Sequence, residues 1–235
     1  MMKYMGSKRR IAKHIIPIMV AAANSAGITR WVEPFVGGAN LIDKVPDYFD
    51  RYGYDINEHV IRALLDIRDR CDDLPEAVSE IEYKEMIGAD AGTITSWCRF
   101  ALSFGGKFDG GYAREFGSDD TTFCGYGKRN AKKQSPLIKS VHFEVSAYND
   151  LSFTNSLIYC DPPYQDATGY KTDKFDHDHF FKWCREMAKE NIVFVSEYQC
   201  PSDFKEVWSG RQKTNFSSSR DHHTKNAVEK LFIVK

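Results

Sequence analysis

Asp161-Pro162-Pro163-Tyr164 follows an apolar run, Leu157-Ile158-Tyr159, that reads as the end of a buried strand. Proline fixes its own φ, lacks an N–H and presses the preceding residue towards extended backbone. Asp161 and the Pro162 carbonyl are thereby held as adjacent acceptors beside the Tyr164 ring. Such a set suits a flat group bearing an NH2, for instance the exocyclic amine of a nucleobase. The rival reading is a plain turn in which Asp161 makes an Asx-type hydrogen bond.

Two earlier features add a second half to this chemistry. Gly37-Gly38 follows the short strand Trp31-Val32-Glu33, and Asp55 lies 17 residues beyond Gly38, ending the strand Arg51–Asp55. Glycines there let backbone approach a ligand, and an acid at that place can accept both ribose hydroxyls of a nucleoside. A tight strand–helix turn with an exposed Asp is the alternative. A pyrophosphate cofactor calls for G-x-G-x-x-G at a helix start or a Walker-type loop, and neither is present. Glu33, just before the turn, would repel phosphate and suit a cation. S-adenosylmethionine carries ammonium and sulfonium charges and no phosphate. Cys160, a possible nucleophile for carbon-5 pyrimidine methylation, precedes Asp161 and points to the opposite strand face. It reads as a buried core thiol.

These residues need an α/β frame. A helix from a Ser7 cap to about Asn24, strands at 31–33 and 51–55 and a helix over 57–70 open it, with a short helix expected from Ala39. Residues 71–97 look partly helical, and 103–135 are rich in glycine, aromatics and charge with little periodicity. Strands return at 141–144 and 157–160, then a helix near 177–190 and a strand at 192–196. Strands at 210–216 and 227–234 close the chain as a hairpin. The reading is 1–70 plus 141–235 as one catalytic frame, with 71–140 as an inserted subdomain.

Composition bounds the rest. At 235 residues and 42% hydrophobic content the chain can bury one substantial core, and a net charge of −1 advertises no overall basicity. Six scattered cysteines without a C-x-x-C pair argue against a zinc ribbon, so no metal is expected, and they fit a reducing, cytoplasmic setting. No apolar leader and no run of membrane-spanning length appears.

Taken in order, Glu33-Pro34-Phe35-Val36-Gly37-Gly38, Tyr54-Asp55-Ile56-Asn57 and Asp161-Pro162-Pro163-Tyr164 resemble the Dam-type DNA adenine-N6 methyltransferases. Tyr4-Met5-Gly6-Ser7-Lys8 is similar to that family's aromatic-x-Gly-Gly-Lys segment, and Asn215–Arg220 with Val228-Glu229-Lys230-Leu231 to its last hairpin. Ser7 and Ala39 stand where the family often has glycine; both are small enough to preserve a pocket. The resemblance implies a Rossmann-like class I methyltransferase sheet ending in a β-hairpin, with the insertion serving DNA recognition. It implies S-adenosylmethionine held by Tyr4, Lys8, Glu33, Pro34, Phe35, Gly37, Asp55 and Asp161. Catalysis would fall to Asp161, Pro162, Pro163 and Tyr164, with adenine flipped from duplex DNA. Apart from the family, Tyr4 reads as a core aromatic and Lys8 as a solvated charge.

A glycine-rich basic segment can track a phosphate backbone. Arg99, Lys107, Arg114, Lys128, Arg129, Lys132 and Lys133, with Arg220 from the tail, are the candidate DNA contacts, against an ordinary solvated surface. Lys139, Arg211, Lys213, His222, His223 and Lys225 lie in the same two regions. The alternatives kept open are a cytosine-N4 methyltransferase, whose target amine offers the same two N–H groups, RNA adenine as substrate, and a silent DNA-binding relative. A stand-alone enzyme is expected, monomeric in solution, with a dimer on DNA left open.

Overall fold

The computed structural model describes residues 1–88, 94–114, 123–164, 175–212 and 227–235. Among the described residues, seven strands form one sheet: β1 (Arg30–Glu33), β2 (Asp50–Asp55), β3 (His142–Val145), β4 (Leu157–Cys160), β5 (Ile192–Glu197), β6 (Phe204–Gln212) and β7 (Ala227–Val234). Their order is β3-β2-β1-β4-β5-β7-β6; β1 to β5 pair in parallel, and β7 runs antiparallel to both β5 and β6. This is the expected α/β sheet ending in an antiparallel pair. The chain leaves β1 for β2 and β3, then crosses back to β4. The carboxyl ends of β1 and β4 therefore flank the point where connections diverge, the usual ligand crevice of open α/β sheets. Glu33 ends one of these strands and Asp161 follows the other.

Buried parallel strands read as near-continuous apolar runs, and β4 is buried at every position. Its side chains alternate: Leu157 and Tyr159 join one core cluster, Ile158 and Cys160 the other. The first cluster packs under α1 (Ala12–Ser25) and α2 (Glu58–Arg70); the second packs under α6 (His177–Met187), through Phe180, Phe181 and Trp183. Cys160 is fully buried in that second cluster. No described helix is long and apolar enough to cross a membrane.

The structure departs from the sequence reading in four places. The first helix splits: Ser7 caps only a 3-10 turn, Lys8–Arg10, and α1 starts at Ala12. The helix expected from Ala39 shrinks to a 3-10 turn at Ile42–Lys44, because Ala39 itself sits at φ 53°, which a right-handed helix cannot hold. The strand expected at 210–216 begins at Phe204, and 213–216 lie outside the described residues. Lys205 and Glu206 hid it; charges on an edge strand block pairing with other chains. Finally, α5 (Phe123–Gln134) forms where little periodicity was legible. Gly127 is a contact residue there, not a breaker: a Cβ on it would stand 3.0 Å from Trp97 and 3.3 Å from Ala101.

The segment 71–140 also contains α3 (Glu80–Gly88) and α4 (Thr95–Ala101). Trp97, Cys98 and Phe100 of α4 share one hydrophobic cluster with Ile15, Val60 and Leu64. Gln134, fully buried at the end of α5, donates to the carbonyls of Gly38 and Ala39 at 3.0 and 3.3 Å and accepts from Met2 N–H at 2.6 Å. The segment is thus packed onto the main core and tied to the turn after β1.

Candidate active site

The turn after β1 is organised by Asp55 at the end of β2. Its Oδ2 accepts from Gly37 N–H at 3.1 Å and its Oδ1 from Asn57 N–H at 2.9 Å. Asn57 in turn caps α2 through His59 N–H. Burial lifts the Asp55 carboxyl to about 6, with the two N–H bonds pulling the other way. Glu33 is 2% exposed and accepts from Trp31 Nε1 at 3.1 Å. Burial pushes its carboxyl well above the usual range. A cation placed beside it would favour the ionised form.

Across this turn runs the N-terminal segment. A Cβ at Gly37 would lie 2.8 Å from the Tyr4 ring, and one at Gly38 would lie 2.7 Å from Tyr4 Cβ and 2.6 Å from Asn40 Nδ2. The two glycines thus admit Tyr4. Since Gly37 N–H is engaged by Asp55 and Gly38 is covered by Tyr4, this turn is no phosphate cradle. Its donors and acids suit a phosphate-free nucleoside carrying positive charge.

Gly6, at φ 80°, turns the chain so that Lys8 enters the site. Lys8 is 9% exposed; its Nζ lies 3.1 Å from Asp161 Oδ1, 3.6 Å from Glu229 Oε2 and 4.2 Å above the Tyr164 ring. Burial alone would lower the Lys8 ammonium, but Asp161 and Glu229 outweigh it and raise it. The Tyr164 hydroxyl donates to Glu229 Oε2 at 2.7 Å, and Tyr198 meets the Tyr164 ring edge-on at 4.6 Å. Burial raises the Asp161 carboxyl to about 6; Lys8 opposes this, and Glu229 and Glu197 add to it. His177, first residue of α6, has Nε2 3.0 Å from the Pro163 carbonyl and Nδ1 3.0 Å from that of Phe175.

One cavity of about 560 Å³ joins these parts. Tyr4, Lys8, Glu33, Pro34, Phe35, Gly37, Asp55 and Asp161 through Tyr164 all line it. Phe35 builds one wall, its ring 5.4 Å from Tyr148, 5.9 Å from Phe175 and 5.7 Å from Phe180. The structure adds Glu229, Tyr148, Phe175 and Tyr198 to the lining. Glu229 had a legible signal: on β7 it alternates onto the face of the fully buried Leu231, which makes it an inward-facing acid. Among the described residues, no cluster of three His, Cys, Asp or Glu could hold a metal ion.

The expected DNA cations separate into two groups. Arg99 is 9% exposed, its guanidinium paired twice with Asp109 and stacked over Phe108 at 4.2 Å. Lys128 is equally buried and pairs with Glu76 at 2.9 Å. Both hold local structure. Lys107, Arg114, Arg129, Lys132 and Lys133 are exposed, Arg114 pairing with Glu80 and Lys132 with Asp72. Arg220 lies outside the described residues, with Lys213, His222, His223 and Lys225.

Magnesium protoporphyrin IX methyltransferase from Synechocystis PCC 6803 is similar in structure, at TM-score 0.45 with bound SAH and 0.42 with bound SAM. Identity is 10% in both, over 97% of this chain and 82% and 78% of the other. A conserved hypothetical protein from Streptococcus pyogenes follows at TM-score 0.35 and 8% identity, over 88% of this chain and 86% of that one. No curated protein matches the chain. Residues 4–90, which carry Tyr4, Lys8, the glycine turn and Asp55, match the model for D12 class N6 adenine-specific DNA methyltransferases. Over that region, less than half of the chain, the sequence is similar to this family.

Proposed function

We propose that the enzyme methylates N6 of an adenine rotated out of duplex DNA into the 560 Å³ cavity. The observation that carries this reading is the convergence of Asp161–Tyr164 with Asp55, Glu33 and the Tyr4-covered turn in that one space. S-adenosylmethionine fits the donor set, and when bound it supplies a methyl group on a sulfonium whose sulfur leaves as a neutral thioether. Asp55 holds the ribose hydroxyls, Tyr4 and Phe35 flank the nucleoside, and Glu33 faces its positive charge.

The adenine amine is a weak nucleophile because its lone pair is delocalised into the ring. Asp161 and the Pro162 carbonyl accept its two N–H bonds, which directs the lone pair along one line. As the N–C bond forms, positive charge grows on that nitrogen, and the Asp161 carboxylate stabilises it. The surplus proton then leaves to Asp161 or solvent. Preorganised groups of this kind contribute roughly 3–4 kcal/mol each. Tyr164 stacks on the base, offsetting the few kcal/mol that unstacking costs. In the segment 71–140, Lys107, Arg114, Arg129, Lys132 and Lys133 contact phosphates.

Labelled methyl transfer to unmethylated duplex DNA, followed by nucleoside analysis, tests the reading. N6-methyladenine is the expected product, and Asp161→Ala should lower kcat by at least about 10²-fold while still binding the donor. No transfer to the duplex, N4-methylcytosine as product, or normal turnover by Asp161→Ala would each sink it.

A further inference from the structure

Glu229 reaches the site from β7, the antiparallel strand beside β5. Its side chain is 15% exposed, its Oε2 takes the Tyr164 hydroxyl at 2.7 Å, and the same oxygen lies 3.6 Å from Lys8 Nζ. Lys8 also contacts Asp161 Oδ1 at 3.1 Å and covers the Tyr164 ring at 4.2 Å. Lys8, Tyr164 and Glu229 thus close into a ring of contacts, and Asp161 joins it through Lys8. In it, two carboxylates share a single ammonium.

We propose that Glu229 is a positioning residue for methyl transfer, fixing the plane of Tyr164 and holding Lys8 between two carboxylates so that Asp161 stays open to the amine. The inference rests on the reading that Asp161 receives the target base. A buried ammonium with only one carboxylate settles wholly on it, and a full Lys8–Asp161 pair would compete with the incoming N–H donors. Glu229 divides that pull. Its hydrogen bond also removes rotational freedom from a ring whose use is to offer a flat face.

A purely architectural Glu229 would matter only as a hydrogen-bond acceptor and a volume. Glu229→Gln keeps both and removes the charge, so it separates the two roles. The groups facing Asp161 are Lys8 from the N-terminal segment, Glu33 at the end of β1, Tyr159 on β4, Tyr164, Glu197 and Tyr198 at the end of β5, and Glu229 itself. Glu229 is among those that favour the protonated form of Asp161. Losing its charge makes Asp161 easier to keep ionised.

The experiment measures kcat against pH for the full-length wild type, Glu229→Gln and Tyr164→Phe on duplex DNA saturated with donor. In Glu229→Gln the acid limb is expected to move to lower pH by on the order of half to one unit, with kcat reduced about tenfold. Tyr164→Phe loses the hydroxyl contact but no charge; its kcat should fall while its acid limb stays in place. An unmoved acid limb with near-normal kcat in Glu229→Gln overturns the proposal. If Glu229→Gln does not fold, Tyr164→Phe decides: unchanged kcat overturns the proposal, and a fall with a fixed acid limb upholds it. Wild-type activity and its loss in Asp161→Ala report separately on the underlying reading.

Discussion

Replacing Asp55 with Asn should separate folding from cofactor binding. The carboxylate is costly where it stands: lifting its carboxyl from 3.8 to about 6 corresponds to about 3 kcal/mol against the ionised form. Asn avoids that cost. It also loses one of two backbone bonds, because its NH2 cannot accept from Gly37 or Asn57, and an N–H left unmet costs about 1–3 kcal/mol. The two effects nearly cancel, so the melting temperature should stay within a few degrees of the wild type. Ligand binding has no such offset. A hydroxyl bonded to a carboxylate contributes about 1.5–3 kcal/mol, and losing one such bond weakens binding by roughly 10- to 150-fold. Calorimetric titration with S-adenosylhomocysteine is the right assay, because its neutral sulfur removes the sulfonium's attraction to Asp161 and Glu33. The pH dependence gives a second check. Since the folded carboxyl sits above its unfolded value, ionised Asp55 costs stability above about pH 6, and that cost disappears as pH falls towards 3.8. Wild-type affinity for the homocysteine product should weaken over the same window, and the Asn variant should lack that dependence. Near-normal affinity in Asp55→Asn with an unchanged melting temperature would refute the ribose role.

Three other perturbations test neighbouring parts. Gly38→Ala forces a Cβ to within 2.7 Å of Tyr4 and 2.6 Å of Asn40; it should cost about 1–3 kcal/mol, seen as a lower melting temperature, and weaken donor binding by displacing Tyr4. His177→Ala releases the Pro163 and Phe175 carbonyls, so kcat should fall about tenfold, a loss of about 1.4 kcal/mol, while homocysteine-product affinity holds; equal loss of both would place His177 in folding instead. Removing Arg129, Lys132 and Lys133 together should flatten the salt dependence of DNA binding by up to about 0.9 per lost phosphate contact, whereas Arg99→Ala should lower the melting temperature and leave the slope unchanged.

The sheet was legible because its central strands are buried on both faces and write themselves as apolar runs. So was the half of the site that strand ends display: Glu33, Asp55 and Asp161 each follow or close a strand whose apolar character fixes where it stops. What the chain hides are partnerships across long separations. Lys128 reads as one more surface cation until Glu76 is seen beside it, and Arg99 until Asp109 and Phe108 are. The glycines of α5 read as loop because a glycine that admits a tryptophan looks the same in sequence as one that breaks a helix.

The turn after β1 carries the same ambiguity with more consequence. Its glycines suggested room for a ligand, yet Tyr4 takes that room, so the N-terminal segment is a wall of the site. That placement explains how Lys8 reaches Asp161 from the far end of the chain: Tyr4 fixes the path, Gly6 reverses it, and Lys8 arrives between the two carboxylates. The turn after β1 and the Asp161 carboxylate are then coupled through one short stretch of backbone. A change at Gly38 should therefore be felt at Asp161 as well as at the cofactor. It should displace the acid limb of the pH–rate profile while lying outside the Lys8–Glu229 contacts themselves. A Gly38→Ala enzyme with weakened donor binding and an unmoved acid limb would show that the two halves of the site are built independently.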